Sequence, residues 1–411
     1  MRKMALKKVL TFIMAGGRGE RLYPLTKDRT KPAVPFGGNY RIIDFTLSNC
    51  INSGLRKVCV LTQYKSSSLA QHIIMGWNIL NSELGEYIDV VPAQQRVSDS
   101  WYLGTADSIY QNLYLVQQEH PDYVLILAGD HVYKMNYAEM IEYHIRTGAD
   151  LTVPVVETRK DQARQLGIFD VNEQMEVTGF QEKPQEPKTI FGRAGFAYGS
   201  MGIYVFSRQI LIEALEEDAK DPETKHDFGK NIIPRMVAKS KKIYAYDFKD
   251  PQTHKPRYWR DVGDLDAYYN ANMDLVSVTP EFNFYDQEWP IRTHQGQFPP
   301  VKTVWDGEIN KARIGRAIQS IMANGSIVSG GLVKQSILFP SVRINSFSEV
   351  YDSIIMEGTD VGRYAKIRRA IIDKHCQISR GASIGFDPEL DKKRFTVTEA
   401  GIVVVPKGSV V

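Results

Sequence analysis

Residues 338–354 read LFPSVRINSFSEVYDSI, and residues 355–371 read IMEGTDVGRYAKIRRAI. Each stretch has 17 residues and carries an aliphatic residue at its first, seventh and thirteenth positions. The steps between these residues are therefore six, six and five, and the same phase runs from residue 321 to residue 384. All twelve positions in this phase are Ile, Leu or Val: Ile321, Ile327, Val333, Leu338, Ile344, Val350, Ile355, Val361, Ile367, Ile372, Ile378 and Ile384.

This 17-residue period predicts a triangular coil. Three inward-pointing positions in each repeat give three short strands, and equivalent strands of successive repeats stack in parallel. Ordinary antiparallel strands would not keep one phase over several successive repeats. The sequence therefore predicts a parallel β-helix built from hexapeptide-like repeats.

Strands and helices alternate in the part of the chain that precedes the coil. Val9–Met14 and Lys57–Leu61 are predicted as strands, Tyr123–Ala128 is a short, fully apolar run typical of a buried strand, and Tyr137–Thr147 is predicted as a helix. This alternation predicts a mostly parallel sheet with helices on both faces. In such sheets ligands bind at the carboxyl ends of the strands.

The two patterns are separated by the aperiodic, proline-bearing stretch WPIRTHQGQFPP at residues 289–300. A length of 411 residues also exceeds that of one compact domain. We therefore predict a first domain at residues 1–288, a connector at residues 289–316 and the β-helix at residues 317–411.

Charge, hydropathy and cysteine content exclude several classes of protein. A formal net charge of +3 is too small for a polyanion-binding protein, so no nucleic-acid partner is expected. The first apolar run is too short for a signal peptide, and no stretch approaches the roughly twenty apolar residues of a membrane span. Cys50, Cys59 and Cys376 have neither CxxC nor metal-ligand spacing, which favours a reduced, cytoplasmic setting.

A loop rich in glycine and cations follows the first strand, and residues 16–32 read GGRGERLYPLTKDRTKP. Five cations oppose two acids in it, so its local charge is five minus two, or +3. Glycines let backbone N–H groups approach an anion closely, and together with the cations they suit a triphosphate. The loop matches neither the Walker A nor the dinucleotide-binding pattern. The alternative is a surface turn with solvated charges.

The loop resembles the signature G-G-x-G-x-R-L-x-P-L-T…K-P of sugar-phosphate nucleotidyltransferases. Further motifs are similar to the bacterial glucose-1-phosphate adenylyltransferases and follow that family's order: KPAVPFGGNYRIIDFTLSNCINSG, PAQQR, WYLGTADS, LAGDHVYKM, GFQEKP, SMGIYVF, HDFGKNIIP, YWRDVG and YDQEWPIRT. The resemblance spans nearly the whole chain. The fold it implies is α/β, a Rossmann-like mixed, mostly parallel sheet followed by a left-handed parallel β-helix.

The resemblance implies the reaction of ATP with α-D-glucose 1-phosphate to give ADP-glucose and diphosphate, for glycogen or other α-glucan synthesis. The second pKa of a phosphomonoester is about 6, so the attacking oxygen is largely ionised at pH 7 and needs no general base. Asp130 and Asp261 are therefore predicted to hold Mg²⁺ instead of accepting a proton. The resemblance assigns catalysis to Arg21, Lys31, Asp130 and Asp261, ATP binding to Gly16, Gly17, Gln95, Gly104 and Thr105, and glucose 1-phosphate binding to Tyr102, Gly167, Glu182, Lys183 and Ser200.

Members of this family are usually tetramers controlled by metabolites bound between the two domains, so the resemblance implies a homotetramer and an anionic effector. The positions that match effector-binding residues are Thr26, Arg29, Arg41 and Arg343, and those that match relay residues are Gln63 and Trp101. Members that fructose 1,6-bisphosphate activates tend to have Lys and His where this chain has Asp28 and Pro35, and Leu103 replaces an Arg seen in relatives. Because an anion replaces a cation at residue 28, a bisphosphate should bind less well, and the effector stays open.

Three alternative functions stay open. One is a related nucleotidyltransferase that uses another nucleotide or sugar. The second is a regulatory subunit without catalysis, although the four predicted catalytic residues are all present. The third is an acyltransferase on the β-helix near His375, a lone histidine that we expect at the surface. The tripeptide DFG at residues 227–229 occurs without a kinase catalytic loop, and we expect the neighbouring His226 to be structural.

Overall fold

The computed structural model describes residues 5–94, 101–305 and 313–411. Before the connector, the strands are β1 (Val9–Met14), β2 (Pro35–Phe36), β3 (Tyr40–Arg41), β4 (Lys57–Thr62), β5 (Tyr87–Pro92), β6 (Tyr123–Ala128), β7 (His131–Tyr133), β8 (Leu151–Arg159), β9 (Gly167–Val171), β10 (Val177–Glu182), β11 (Phe196–Ser200), β12 (Tyr204–Ser207), β13 (Ile243–Asp247) and β14 (Trp259–Asp261). Three predicted elements, β1, β6 and the helix at Tyr137–Thr147, have the bounds expected from the sequence.

The helices of this part are α1 (Ile43–Asn52), α2 (Ser67–Gly76), α3 (Thr105–Tyr110), α4 (Leu113–Glu119), α5 (Tyr137–Thr147), α6 (Lys160–Ala163), α7 (Arg208–Ala219), α8 (Ile233–Ala238) and α9 (Leu265–Asp274). Short 3-10 turns lie at Glu20–Leu22, Lys31–Ala33 and Ser82–Leu84, and a π-helical turn lies at Phe228–Ile232. Within the described ranges, no helix has the length and apolar character needed to cross a membrane.

A ten-stranded mixed sheet forms the centre of this part, as the sequence predicts. Its order is β10-β9-β11-β8-β12-β6-β1-β4-β5, with β13 beside β8. The strands β5, β4, β1 and β6 run parallel, whereas β12, β11, β9 and β10 pair antiparallel with their neighbours. Because β1, β4 and β6 end at the same edge, the loop after Met14 and the turn after Ala128 meet there.

Both faces of this sheet are buried at its central strands β1 and β6. Successive side chains of a strand point to opposite faces, and Leu10 and Phe12 belong to one apolar cluster whereas Val9 and Ile13 belong to another. This is why β1 is apolar on both faces except for Thr11, which is itself fully buried. The buried parallel strands thus form a rigid base for the loops at their carboxyl ends.

The last part of the chain forms three parallel sheets, in agreement with the predicted left-handed parallel β-helix. One sheet contains β15 (Lys302–Val304), β18 (Ile327–Ser329), β21 (Arg343–Ile344), β24 (Asp360–Val361) and β27 (Gln377–Ile378). The second contains β16 (Arg316–Ile318), β19 (Leu332–Lys334), β22 (Glu349–Tyr351), β25 (Lys366–Arg368) and β28 (Ser383–Ile384). The third contains β17 (Ile321–Met322), β20 (Ile337–Leu338), β23 (Ile354–Ile355), β26 (Ala370–Ile372) and β30 (Val403–Val405), with β29 (Thr396–Val397) antiparallel at its edge and helix α10 (Pro388–Arg394) before it.

The predicted phase is confirmed at Val333 and from Leu338 onward, and it is wrong at the first two positions, Ile321 and Ile327. Leu338 aligns with Ile355 in the next coil, but in the preceding coil it aligns with Met322 and not with Ile321. Similarly, Val328 takes the inward place that was predicted for Ile327. The aligned residues Met322 and Leu338 are 16 residues apart instead of 17, because the step from Val328 to Val333 is five residues instead of six. A shift of one residue turns a strand side chain to the other side.

The third sheet of the β-helix packs against the first domain. Its strands carry two adjacent apolar residues each, one facing into the coil and one facing out. The outward residues, which we call the outer column, are Ile337, Ile354, Ile371 and Val404. They join one apolar cluster with residues of the first domain that include Val262, Leu265 and Tyr268. The predicted domain boundaries stay a prediction; strand β15 lies inside the segment predicted as the connector.

Candidate active site

A cavity of about 680 Å³ opens at the carboxyl ends of β1, β4 and β6. Its wall is formed by the glycine loop, the start of α3 and the turn after β6. Of the predicted site residues, it is lined by Gly16, Gly17, Arg21, Lys31, Gln63, Tyr102, Gly104, Thr105 and Asp130. The structure thus brings together groups that lie far apart in the sequence. The predicted ATP-binding residue Gln95 lies outside the described residues.

The glycine loop folds back over Lys31. Gly19 has a φ of 63°, in the left-handed region that favours glycine. A Cβ at Gly19 would lie 3.0 Å from the Cβ of Lys31, and the Thr26 hydroxyl donates a hydrogen bond of 2.9 Å to the Gly19 carbonyl. This turn fixes the base of the Lys31 side chain and leaves Gly16 and Gly17 on the cavity wall.

Lys31 lies between two carboxylates from distant parts of the chain. Its Nζ donates to Oδ2 of Asp130 at 2.8 Å and to Oδ1 of Asp261 at 3.1 Å. Burial acts to lower the pKa of Lys31, but the two carboxylates outweigh it and the net shift is upward. Burial acts to raise the pKa of Asp130, but Lys31 and His131 overcome this and hold it well below its usual range. Lys31 and Asp130 are therefore both charged at neutral pH.

His131 is a candidate metal ligand that the sequence analysis missed. Strands β7 and β14 pair antiparallel, and their register places Asp261 opposite His131. Candidate ligand atoms of Asp130, His131 and Asp261 all lie within 4.8 Å of one another. This donor set fits a divalent ion, because hard cations take few protein carboxylates and complete their shell with phosphate oxygens. The available signal was the position of His131 next to Asp130; the long-range strand pairing that brings in Asp261 leaves no local signal.

The loop that contains the DFG tripeptide caps the helix at the cavity. The His226 carbonyl accepts a hydrogen bond of 2.8 Å from the backbone N–H of Ala106, in the first turn of α3. The ring Nδ1 of His226 lies 2.8 Å from Oδ2 of the buried Asp218, so this histidine is structural, as predicted. The Thr105 hydroxyl donates to Oδ2 of Asp227 at 3.0 Å. Asp227 also lines the cavity. It was not predicted as a site residue, because the tripeptide DFG occurs without a kinase catalytic loop.

Of the residues predicted to bind glucose 1-phosphate, Gly167, Glu182 and Ser200 lie at ends of antiparallel strands of the sheet. The pairing of β9 with β10 places Gly167 opposite Glu182, and a Cβ at Gly167 would lie 3.1 Å from Oε2 of Glu182. Burial is the main cause of a raised pKa at Glu182; Lys183 opposes this shift and Asp227 adds to it. Lys183 itself is exposed. A half-buried carboxylate and an exposed ammonium group therefore lie next to each other along the chain.

Tyr102 and Ser200 are held by local hydrogen bonds. The Tyr102 hydroxyl accepts from the side-chain amide of Asn112 at 3.0 Å, and its backbone N–H donates to Oε1 of Gln63 at 3.0 Å. The Ser200 hydroxyl accepts from the backbone N–H of residue 202 at 3.2 Å. Gln63, predicted as a relay, thus contacts a predicted sugar-binding residue directly, whereas the second predicted relay, Trp101, is 56% exposed.

The predicted regulatory arginines have three different surroundings. Arg29 is buried, and its Nη2 donates to both carboxylate oxygens of Asp373 at 2.7 Å, which links the first domain to the β-helix. Arg41 donates to a backbone carbonyl of α2 at 2.7 Å and lines a second cavity of about 220 Å³ between the two domains. Arg343 is exposed on β21. The structure therefore does not gather these three side chains into one cavity.

Comparison with known proteins extends over the whole chain. Residues 10–278 match the Nucleotidyl transferase family, and residues 299–405 match a family described as GlmU-like, C-terminal hexapeptide. The glucose-1-phosphate adenylyltransferase of Koribacter versatilis is 52% identical over 403 residues, which cover 97% of this chain and 95% of that protein. That of Rhodopirellula baltica is 50% identical over 408 residues, which cover 99% and 91% of the two chains. The chain belongs to the glucose-1-phosphate adenylyltransferase family.

A third relative, the glucose-1-phosphate adenylyltransferase of Methylococcus capsulatus, is 50% identical over 399 residues, covering 97% of this chain and 93% of that protein. These matches confirm the resemblance found in the motifs and the predicted two-part fold. Nucleotidyltransferases of this kind generally use a divalent metal ion. The cluster of Asp130, His131 and Asp261 is the group of described residues that could hold one.

Proposed function

We propose that this chain transfers the adenylyl group of ATP to α-D-glucose 1-phosphate, forming ADP-glucose and diphosphate for α-glucan synthesis. One observation carries the proposal: Lys31, Asp130 and Asp261 form a charged cluster at a glycine-rich cavity, in a chain about half identical to enzymes named for this reaction. A regulatory subunit without catalysis would be expected to lack at least one of these three groups. All three are present in this chain.

The chemistry suits a site without a general base. A phosphate oxygen of glucose 1-phosphate attacks the α-phosphorus of ATP, and the bond to the departing diphosphate breaks as the new bond forms. The attacking oxygen is already ionised because the second pKa of a phosphomonoester is about 6. No proton has to move, so the residues act by positioning the reactants and neutralising charge. The Asp130 carboxylate, whose pKa is held low, is a poor base and a good ligand.

The residues divide into a nucleotide side, a sugar side and a metal site. Gly16, Gly17, Arg21 and Lys31 face the ATP phosphates, Gly104 and Thr105 face the nucleoside, and Tyr102, Gly167, Glu182, Lys183 and Ser200 face glucose 1-phosphate. Asp130 and Asp261 would hold Mg²⁺, with His131 beside them. When bound, the ion neutralises charge on phosphate oxygens.

The direct test is release of diphosphate from ATP with and without glucose 1-phosphate. We expect release only when both substrates and Mg²⁺ are present. UTP, GTP and dTTP in place of ATP test the related activities, and equal turnover with one of them would overturn the assignment to ATP. Absence of turnover with every pair would favour the regulatory-subunit alternative.

Lys183→Ala is expected to raise the KM for glucose 1-phosphate by about tenfold or more, with little change in the KM for ATP. The reason is loss of a point charge that meets the sugar phosphate in both ground and transition states. Lys188→Ala is a matched control, because Lys188 is also exposed and pairs with Asp170 at the surface. An equal rise in both KM values would instead indicate a disturbed fold.

Gly104→Ala is expected to raise the KM for ATP by about tenfold, because a small displacement at a site can cost up to about a hundredfold. A Cβ at Gly104 would lie 2.3 Å from the carbonyl oxygens of Lys225 and His226, so either α3 or the capping loop must move. Gly179→Ala is the control, since its Cβ would make an ordinary 3.4 Å contact with Asp170. Initial rates against ATP measure both variants, and an unchanged KM in Gly104→Ala would separate this helix from nucleotide binding.

Regulation and assembly extend this proposal. We propose an anionic metabolite effector that uses Arg41 in the cavity between the domains, a homotetrameric assembly and a cytoplasmic location. The support is the position of Arg41 in that cavity beside Lys374 and the match of Thr26, Arg29 and Arg343 to regulatory positions of relatives. Activity with fructose 6-phosphate, fructose 1,6-bisphosphate, pyruvate or AMP, and the mass of the native assembly, test these points. No response to any of the four metabolites would overturn the proposed control.

A further inference from the structure

Lys31 occupies the space between the carboxylates that a metal ion would need. Its Nζ lies 2.8 Å from Oδ2 of Asp130 and 3.1 Å from Oδ1 of Asp261. On the other side, Nε2 of His131 lies 3.5 Å from Oδ1 of Asp130 and 3.9 Å from Oδ1 of Asp261. An ammonium group therefore holds the oxygens that would form a metal site.

The charges make simultaneous occupancy unfavourable. The ammonium group and a divalent ion would compete for the same two carboxylates, and they would repel each other at close range. The two negative charges of the carboxylates neutralise a divalent ion alone, or they neutralise the lysine with one negative charge left over. They cannot neutralise the ion and the lysine together. A divalent ion can therefore bind fully only if Nζ leaves the carboxylates.

The structure leaves a path for that movement. The base of Lys31 is fixed in the short helix Lys31–Ala33 and lies under Gly19, whereas the lysine stem has four flexible carbon atoms. Lys31 also lines the cavity together with Arg21. Rotation of the stem alone can bring Nζ from the carboxylates to the cavity, with no change in the backbone.

We propose that Lys31 is a displaceable counter-ion of the metal site, which holds Asp130 and Asp261 together until a divalent ion takes their oxygens and then turns toward the phosphates in the cavity. This inference rests on the proposed function only where Nζ turns toward the phosphates. Its displacement from the carboxylates does not depend on the proposed function. Nζ leaves the carboxylates more readily when nucleotide phosphates in the cavity can pair with it. Metal and nucleotide therefore each strengthen the binding of the other, as linkage requires.

One variant at the metal site is expected to bind metal more tightly than the natural protein. In the absence of nucleotide, Lys31→Met should bind Mn²⁺ about tenfold more tightly than the natural protein, because the competing cation is gone. Asp130→Asn should lose Mn²⁺ binding. Lys27→Met, which removes an exposed cation from the same loop, should change the affinity by less than about twofold, because exposed charges are screened. Electron paramagnetic resonance of free Mn²⁺, titrated into the full chain, measures all four proteins.

The outcomes separate this inference from the proposed function. If Lys31→Met binds Mn²⁺ no more tightly than the natural protein while Asp130→Asn loses binding, the displacement is wrong and the metal site stands. If Asp130→Asn binds Mn²⁺ like the natural protein, the metal site itself is wrong. Equal tightening in Lys31→Met and Lys27→Met would reduce the effect to net charge and overturn the displacement.

A second measurement needs no variant of the buried lysine. Reductive methylation of the natural protein with formaldehyde, followed by mass spectrometry, reports how accessible each lysine Nζ is. Mn²⁺ alone should raise the modification rate of Lys31 several-fold, because Nζ leaves its carboxylates. Lys249, which pairs with Glu157 and Asp247 away from the cavity, should react at an unchanged rate. A Lys31 rate that Mn²⁺ does not alter would overturn the inference.

Discussion

Asp130→Asn is expected to lower the kcat of diphosphate release about 10³-fold, while ATP affinity measured without Mg²⁺ is largely kept. Removal of one charge-stabilising group from a site of this kind typically costs about 10²–10³ in kcat. Here the change also takes away half of the carboxylate pair that holds Lys31, so a metal ligand and the anchor of a catalytic cation are lost together. Steady-state rates across a Mg²⁺ titration, with nucleotide affinity measured by calorimetry using a non-hydrolysable ATP analogue, give the two quantities.

The matched control is Asp28→Asn, which removes an exposed carboxylate from the glycine loop without touching the Lys31 cluster. It should leave kcat close to the natural value. Turnover of Asp130→Asn at the natural rate under saturating Mg²⁺ would contradict the assignment of Asp130 as a ligand. A large loss of ATP affinity in the absence of Mg²⁺, where the linkage between metal and nucleotide does not contribute, would instead place Asp130 in nucleotide binding.

Arg29→Met is expected to lower the free energy of unfolding by about 3–5 kcal/mol, because breaking a buried ion pair leaves the partner charge uncompensated. Arg29 is 6% exposed and Asp373 is 1% exposed, and after the change Asp373 keeps a backbone donor, the N–H of Lys374 at 2.7 Å. Chemical denaturation, with activity and far-ultraviolet circular dichroism followed in parallel, measures the loss.

A double-mutant cycle gives the decisive comparison. Asp373→Leu combined with Arg29→Met should cost much less than the sum of the single changes, because no unpaired charge is left buried. Lys8→Met, which breaks an exposed ion pair with Asp122, is the control and should not move the unfolding midpoint. Additive single changes would show that Arg29 and Asp373 do not depend on each other. Any loss of effector response in an Arg29 variant then has to be compared with its stability.

Local patterns predicted much of the fold. The strands Val9–Met14 and Tyr123–Ala128 are almost entirely apolar because both faces of the sheet are covered there, and such runs are visible in the sequence. The β-helix was visible because one period recurs in every coil from Leu338. Ile321 and Ile327 were assigned one residue out of phase, because each has an apolar neighbour, Met322 or Val328, and a shortened repeat leaves no other mark.

The pairings that build the site were not visible in the same way. The antiparallel strands β9 to β11 are partly exposed and join residues far apart in the chain, so they have no continuous apolar run. His131 reaches the cluster only through the pairing of β7 with β14. Asp227 joins Thr105 across more than a hundred residues. The sequence contains these site residues, but tertiary contacts determine which of them lie close together.

The outer column also has a consequence for how the protein is made. Its aliphatic side chains cover an apolar surface around Tyr268, yet they lie between residues 337 and 404. At about 5–20 residues per second, a ribosome needs on the order of ten seconds to reach the end of the column after it has completed α9. During that interval the apolar surface of the nascent first domain is exposed to solvent. The risk of aggregation during synthesis is thus set by where the covering strands lie along the chain, and chaperones that bind apolar segments would act in that interval.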